Sequence, residues 1–304
     1  VTDWRERLVS GALRARLAEL VREDPEVRLL RQLFGEPRIF EWLHAIGVRR
    51  DPGLAALVPQ LPPAALRGIT AHADPAWFLW TGLADAEAML SLLDEFGALR
   101  AGPRPRLLDF GSGAGRVTRF LVGHDELFEI HGTDVHPEQV AWCRDHLRPL
   151  RFARNEPTPP LSYPDAHFDG VWALSVFTHL DAEASARWRA ELARVLKPGG
   201  VLVATLHGPA ATARLVADDE VRASFRLDGA GAARLAETLA ERGFVFLPYD
   251  DDVLRTAQAG ARYGSAFFAP EAARRAFDGE GLRLLAYRSA ALRGWQDVVV
   301  ARKA

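Results

Sequence analysis

Three side chains in this 304-residue chain have the type and setting to handle a proton: His179, His207 and Tyr263. His179 follows the apolar run 168–174, and His207 follows the apolar run 201–206. Both therefore fall where strands of an open α/β sheet would end at their carboxyl side, the side on which such sheets bind ligands. Histidine is the usual side chain for taking a proton from an attacking oxygen or nitrogen, although each histidine also reads as a hydrogen-bonded structural group. A second group is suited to binding. Gly111, Gly113 and Gly115 crowd one short stretch, with Ser112 among them and Asp109 just ahead. A turn without Cβ atoms bends sharply and lets a ligand approach the backbone. Asp134 lies about 20 residues further on, where a carboxylate meets ribose hydroxyls in nucleotide-binding sheets. Its ionised oxygens can accept two hydrogen bonds at once; the alternative is a surface turn residue.

The elements needed to place these residues can be read around them. Leu107 and Leu108 begin an apolar strand, and Val117, Phe120 and Leu121 recur at helical spacing after the glycines. The pattern predicts strand, glycine turn and helix. The spacing is G-x-G-x-G, with Arg116 where a dinucleotide fingerprint has its third glycine. Asp109 would face an ammonium more comfortably than a phosphate. A second strand over 128–134 ends in Asp134 and Val135, and Pro137 opens a helix. Val140, Cys143 and Leu147 form that helix's apolar edge, so Cys143 reads as packing. A third strand at 150–153 runs into Asn155, Glu156 and a proline-rich loop. The fourth strand, 168–174, is apolar almost throughout, as a strand buried on both faces should be, and ends at Leu174 and Ser175. Asp181 can cap a helix lined by Trp188, Leu192, Val195 and Leu196. Lys197, Pro198, Gly199 and Gly200 stop it before a fifth strand at 201–206.

Four of these stretches, 107–117, 131–137, 168–171 and 192–200, resemble in order and spacing the motifs of class I S-adenosylmethionine-dependent methyltransferases. Together they cover about a third of the chain, 106–209. The resemblance implies an α/β fold with a doubly wound, seven-stranded, mostly parallel sheet whose seventh strand is antiparallel, and S-adenosyl-L-methionine as cofactor. It implies that Gly111, Ser112, Gly113 and Gly115 pack against the cofactor's amino-acid end and that Asp109 helps to hold its amino group. Asp134 and Val135 would meet the ribose, with Leu174 and Ser175 at the end of the fourth strand. Asn155 stands where many relatives carry Asp beside the adenine amino group; it either accepts there or only shapes the turn. The implied reaction is in-line transfer of a methyl group to an oxygen or nitrogen of a small molecule or glycan, with His179, His207 or Tyr263 as candidates to assist it. Alignment and exclusion of water would be the main demands on the protein. An insertion after the fifth strand, here 209–266, commonly covers the acceptor pocket in that family. A nicotinamide-dependent oxidoreductase is a competing reading that Arg116 disfavours, and a non-catalytic cofactor-binding module is another that the intact glycine turn disfavours. Asp250, Asp251 and Asp252 resemble in type the metal-binding acids of some catechol methyltransferases, but those acids sit elsewhere in the chain, and no metal is expected.

The organisation expected is a helical extension or lid over 1–100 and a methyltransferase domain over 101–304. Leu8, Leu13, Leu17, Leu20 and Val21 recur at helical spacing, Pro25 and Pro37 open further helices, and Pro52, Pro59, Pro62 and Pro63 mark a loop. Trp77, Phe78, Leu79 and Trp80 form either a docking patch or a pocket wall, ahead of a helix at 84–96. Beyond the fifth strand, a helix at 230–242, a strand at 244–248, a helix from Pro270 to Phe277 and closing strands at 281–287 and 295–301 are expected. The chain is 48% hydrophobic and 26% charged, with a net charge of -2. That balance does not favour a general nucleic-acid or membrane-surface binder, and no apolar run approaches the roughly 18 residues of a membrane span. The charged residues Asp3, Arg5, Glu6, Arg7, Arg14 and Arg16 break up any secretory apolar core, and the single Cys143 excludes an intramolecular disulfide and a Cys-rich zinc site. A cytoplasmic location is the expectation, with oligomeric state open.

Overall fold

The computed structural model describes residues 60–70, 73–250 and 262–304, together with Glu19, Glu23 and Val253. The helices expected before residue 60, and Asp251 and Asp252, lie outside the described residues. The elements in order are α1 (Ala64–Thr70), α2 (Pro75–Glu95), β1 (Arg106–Phe110), β2 (Glu129–Asp134), α3 (Pro137–His146), β3 (Arg151–Arg154), β4 (Phe168–Ala173), α4 (Ala182–Val195) and β5 (Leu196–Leu206). There follow α5 (Pro209–Ala217), α6 (Asp219–Ser224), α7 (Gly229–Arg242), β6 (Phe244–Pro248), β7 (Gly264–Phe268), α8 (Pro270–Ala276), β8 (Leu282–Leu292) and β9 (Gln296–Lys303). The main sheet has seven strands in the order β3-β2-β1-β4-β5-β9-β8. β9 runs antiparallel to both β5 and β8, so it alone is reversed. This is the doubly wound, Rossmann-like sheet that the resemblance to class I methyltransferases implies.

The described residues fall into two compact units. The first holds residues 112–154 and the described residues up to Leu90. Here β2 and β3 pair in parallel, from His131 opposite Arg151 to Asp134 opposite Arg154. Arg119 is fully buried, with its guanidinium over the rings of Phe78 and Trp142 and donating to the Gln60 carbonyl. Burial pulls its pKa down to about 9. The aromatic run 77–80 belongs to α2, which begins earlier than its periodicity indicates; Phe78 and Leu79 are buried while Trp77 is exposed. One expectation fails here. Val117, Phe120 and Leu121 do not start an α-helix: residues 118–121 form a single 3-10 turn. Gly115 and Gly123, both at positive φ, bracket that segment, leaving too few residues for a costly helix nucleus.

The second unit holds residues 91–111 and 155–304. β1, β4 and β5 pair in parallel. Phe168, Val171 and Trp172 of β4 are completely buried; each contributes about 2–3 kcal/mol of apolar burial. Asp181 caps α4 by accepting from the Ala184 N–H at 2.7 Å, and Trp188 packs on Phe110 with ring centroids 4.6 Å apart. The unit also contains a pairing that the apolar pattern did not suggest. β6 and β7 form a two-stranded antiparallel sheet, Phe244 opposite Phe268 through Pro248 opposite Gly264. Behind it, Leu215, Ala232, Leu235, Leu239 and Phe267 make a separate small core for α5 and α7.

Candidate active site

In the first unit the glycine turn and the end of β2 are tied together by backbone donors. Ser112 N–H donates to the Thr133 carbonyl at 2.9 Å, and Gly113 N–H donates to Asp134 Oδ2 at 2.8 Å. His136 N–H donates to Asp134 Oδ1 at 2.9 Å. The Val135 N–H also donates to this carboxylate, so three of its roughly four acceptor positions are taken. Burial raises the Asp134 pKa, opposed by the N–H donors and the nearby His136. Ser112 Oγ and Thr133 Oγ1 are buried without hydrogen-bond partners, beside Gly132, whose missing Cβ would lie 2.6 Å from the Phe152 ring. Gly115 needs to be glycine: φ is +72° and a Cβ would meet Leu147 Cδ1 at 2.3 Å. Val135 is half-buried, and its carbonyl accepts from Arg154. Cys143 is buried, as its packing role requires. Arg116, the departure from a dinucleotide fingerprint, turns to α2 and contacts Asp85 Oδ2 at 2.6 Å and Thr81 Oγ1 at 3.1 Å. Its own carbonyl would be 2.2 Å from a Cβ at Gly82, so the helix and the turn approach backbone to backbone.

In the second unit Asp109 is buried at the end of β1, and Gly111 takes a φ of +82°. Asn155 is buried past the end of β3. Its Nδ2 donates to the Glu156 carbonyl at 2.8 Å, which fixes the amide orientation and leaves Oδ1 a buried acceptor with no partner. Leu174 is buried, and Ser175 holds a left-handed φ of +57° beyond β4. That backbone is held by Ser175 N–H donating to Thr205 Oγ1 at 2.8 Å and by the Ser175 hydroxyl paired with Gln296.

The three proton-handling candidates come together in this second unit, and β7 is the reason. Along one edge β7 pairs with β6. Along the other it meets the segment after β4: Gly264 N–H donates to the His179 carbonyl at 2.9 Å, Ala266 N–H to that of Thr178 at 2.8 Å, and Leu180 bridges Tyr263. At its far end Phe268 N–H donates to the His207 carbonyl at 2.8 Å. The rings of His179 and His207 consequently sit 6.4 Å apart, and Tyr263 stacks on His179 at 5.1 Å and 21°. Phe225, Phe267 and Trp295 surround His207 at 5.2–5.8 Å. Sequence reasoning missed Tyr249, whose hydroxyl lies 3.0 Å from His179 Nδ1. The signal available was its place directly after the 244–248 strand, and it becomes informative only once β6 is known to pair with β7.

The two imidazoles differ in setting. His179 is half-buried; burial lowers its pKa, partly opposed by its hydrogen bond to the Gly264 backbone. His207 is buried, and burial, with the positive charge that His179 can carry, depresses it to about 3. His207 Nδ1 has no partner. No group of three or more His, Cys, Asp or Glu among the described residues could hold a metal, and Asp250 pairs with Arg226. Among the described residues no helix is long and apolar enough to cross a membrane.

Residues 108–204 match the family described as "Methyltransferase domain". A 2-methyl-6-phytyl-1,4-hydroquinone methyltransferase of Synechocystis sp. is 36% identical over 104 residues, 33% of this chain and 31% of that protein. A 27-O-demethylrifamycin SV methyltransferase of Amycolatopsis mediterranei is 34% identical over 127 residues, 38% of this chain and 44% of that protein. The chain thus spans less than half the length of these curated relatives. Among solved structures, magnesium protoporphyrin IX methyltransferase from Synechocystis is 12% identical, with a TM-score of 0.49, covering 88% of this chain and 98% of that one.

Proposed function

From the premise that this chain carries a class I S-adenosylmethionine-dependent methyltransferase domain, we propose that the whole protein transfers a methyl group to an oxygen or nitrogen of a small molecule or glycan. When bound, S-adenosyl-L-methionine supplies a methyl group already activated on a positive sulfonium. The residues present fit it. Asn155 Oδ1, Ser112 Oγ and Thr133 Oγ1 are buried polar atoms awaiting partners, and the Asp134 carboxylate keeps acceptor capacity for a ribose hydroxyl. Asp134 and Val135 would hold the ribose, Asn155 the adenine amino group, and Gly111, Ser112, Gly113 and Gly115 the amino-acid end, with Asp109 on its ammonium and Leu174 and Ser175 at the end of β4. In this reading residues 1–100 are an extension or lid and about 209–266 covers the acceptor.

The observation that carries the acceptor chemistry is the convergence of His179, His207 and Tyr263 around β7. His179 takes the acceptor's proton: its Nε2 has no protein partner among the described residues, and Nδ1 is occupied. His207 is too poor a base to share that task at neutral pH and serves as a neutral, aromatic-lined wall; Tyr263 covers the other face of His179. The name of one relative, a 27-O-demethylrifamycin SV methyltransferase, supports an oxygen acceptor, and that of a second, a 2-methyl-6-phytyl-1,4-hydroquinone methyltransferase, supports a small-molecule acceptor. Calorimetry with S-adenosylhomocysteine, followed by assay of that product with phenols, alcohols and amines, tests the reading. Binding abolished in Asp134→Ala and turnover lost in His179→Ala are expected; a folded protein that binds no S-adenosylhomocysteine refutes it.

A further inference from the structure

His179 Nδ1 faces two oxygens. The Gly264 carbonyl lies at 3.0 Å and the Tyr249 hydroxyl at 3.0 Å. A carbonyl can only accept, so Nδ1 carries the proton, and Tyr249 Oη must accept a share of the same N–H rather than donate to it. Ser265 Oγ–H donates to Tyr249 Oη at 3.3 Å, which completes the orientation of the phenol. Burial raises the Tyr249 pKa, so the phenol stays protonated.

Resting on the reading of His179 as the proton acceptor, we propose that Tyr249 is a positioning residue that, with the Gly264 carbonyl, fixes His179 as the Nδ1–H tautomer and leaves the Nε2 lone pair for the acceptor substrate. His179 Nε2 would take the proton that the acceptor's oxygen or nitrogen gives up in exchange for the methyl group, which the cofactor, when bound, would supply while keeping the bonding electron pair on its sulfur. The resulting imidazolium keeps both oxygens on Nδ1–H, so Tyr249 stabilises the charge as well as the orientation. Among the described residues, the other groups facing His179 are Tyr263 on its ring face and His207 from the end of β5. The ion group of Arg262 with Asp181 and Glu183 lies next along the chain.

The test pairs an activity-independent measurement with a kinetic one. Nitrogen-15 NMR of His179 in the wild-type protein is expected to show protonated Nδ1 and unprotonated Nε2. In Tyr249→Phe the His179 titration is expected to move to lower pH, with the acid limb of kcat following it. kcat at the plateau should fall roughly 2- to 10-fold, the worth of one hydrogen bond, with S-adenosylmethionine affinity unchanged. The same substitution on a His179→Ala background should have no further effect. An Nε2–H tautomer in the wild type overturns the proposal even if the variant does not fold. A rise in acceptor KM with the His179 titration unmoved also overturns it. Full turnover in His179→Ala would instead defeat the underlying reading of His179 and leave the tautomer assignment standing.

Discussion

His207 couples the fold to pH in a way that can be measured without any substrate. It is 5% exposed among Phe225, Phe267 and Trp295, and burial holds its pKa at about 3 against an ordinary 6.5. A histidine whose folded pKa is depressed favours the fold only while it is neutral. Its contribution is complete above the unfolded value of 6.5 and is lost as pH falls toward 3. A depression of that size is worth about 5 kcal/mol in full, of which about 3 kcal/mol is lost between pH 7 and pH 4. Solvent screening removes little of this at a site so enclosed. Other groups also titrate over that interval, so the informative quantity is a difference. His207→Phe keeps an aromatic ring in the same box, gives up the hydrogen bond to the Ala266 backbone at all pH values and cannot titrate. Denaturant unfolding followed by circular dichroism at pH 7 and pH 4 should show wild type losing about 3 kcal/mol more than His207→Phe over that range. Equal losses in the two proteins would refute the claim that buried, neutral His207 governs acid stability.

Asp134 predicts a pH dependence of binding. Its folded pKa is raised by burial, and ribose hydroxyls donate to the ionised form, so S-adenosylhomocysteine affinity should weaken as pH falls through that raised value; calorimetry at pH 7.5 and 5 checks this, and a flat profile counts against the ribose assignment. Gly82→Ala places a Cβ 2.2 Å from the Arg116 carbonyl, a backbone atom that cannot rotate away. About 1–3 kcal/mol of stability should be lost, with weaker S-adenosylhomocysteine binding because the glycine turn shifts; unchanged Tm and affinity would show that α2 does not support the turn. Gly208→Ala places a Cβ 1.7 Å from Asp297 Oδ2. Asp297 accepts from Ala290 N–H at 2.7 Å, and displacing it from its buried place breaks that part-buried bond, so a loss of about 1–3 kcal/mol is expected in thermal unfolding; a wild-type melting curve would refute it.

The parallel part of the sheet was legible because its strands carry their own signal. Phe168 to Ala173 is buried at every position, and such a run has few readings besides a central strand. The three glycines were legible as a turn because backbone at positive φ admits few residue types. Helix limits were less so. α2 starts nine residues before the expected 84 because Trp77, Phe78 and Leu79 obscure the period of its first turns, and the glycine turn opens into a 3-10 turn because Gly123 closes the segment early. β7 was missed for a different reason. Gly264, Ser265, Ala266, Phe267 and Phe268 do not alternate: all five are buried, since partners flank the strand on both edges. A segment that short takes its conformation from the pairing available to it, not from its own composition.

The same pairing explains why the histidines could be named from the sequence but not distinguished. Both follow apolar runs, and both end strands of one sheet; nothing local separates them. β7 separates them by passing along the backbone of 178–180 and then reaching that of His207. Along 178–180 it places the Gly264 carbonyl on His179 Nδ1 and leaves Nε2 without a partner among the described residues. At His207 it places Phe267 against the imidazole, with Phe225 and Trp295 closing the remaining faces. One ring keeps a nitrogen open to an acceptor, with its pKa lowered by burial, and the other resists protonation to about 3. Two bases of equal strength 6.4 Å apart would compete for a single proton, each charge depressing the other. Burying one removes that competition, and in the proposed reading an acceptor held against the aromatic wall at His207 would give its proton to His179 alone.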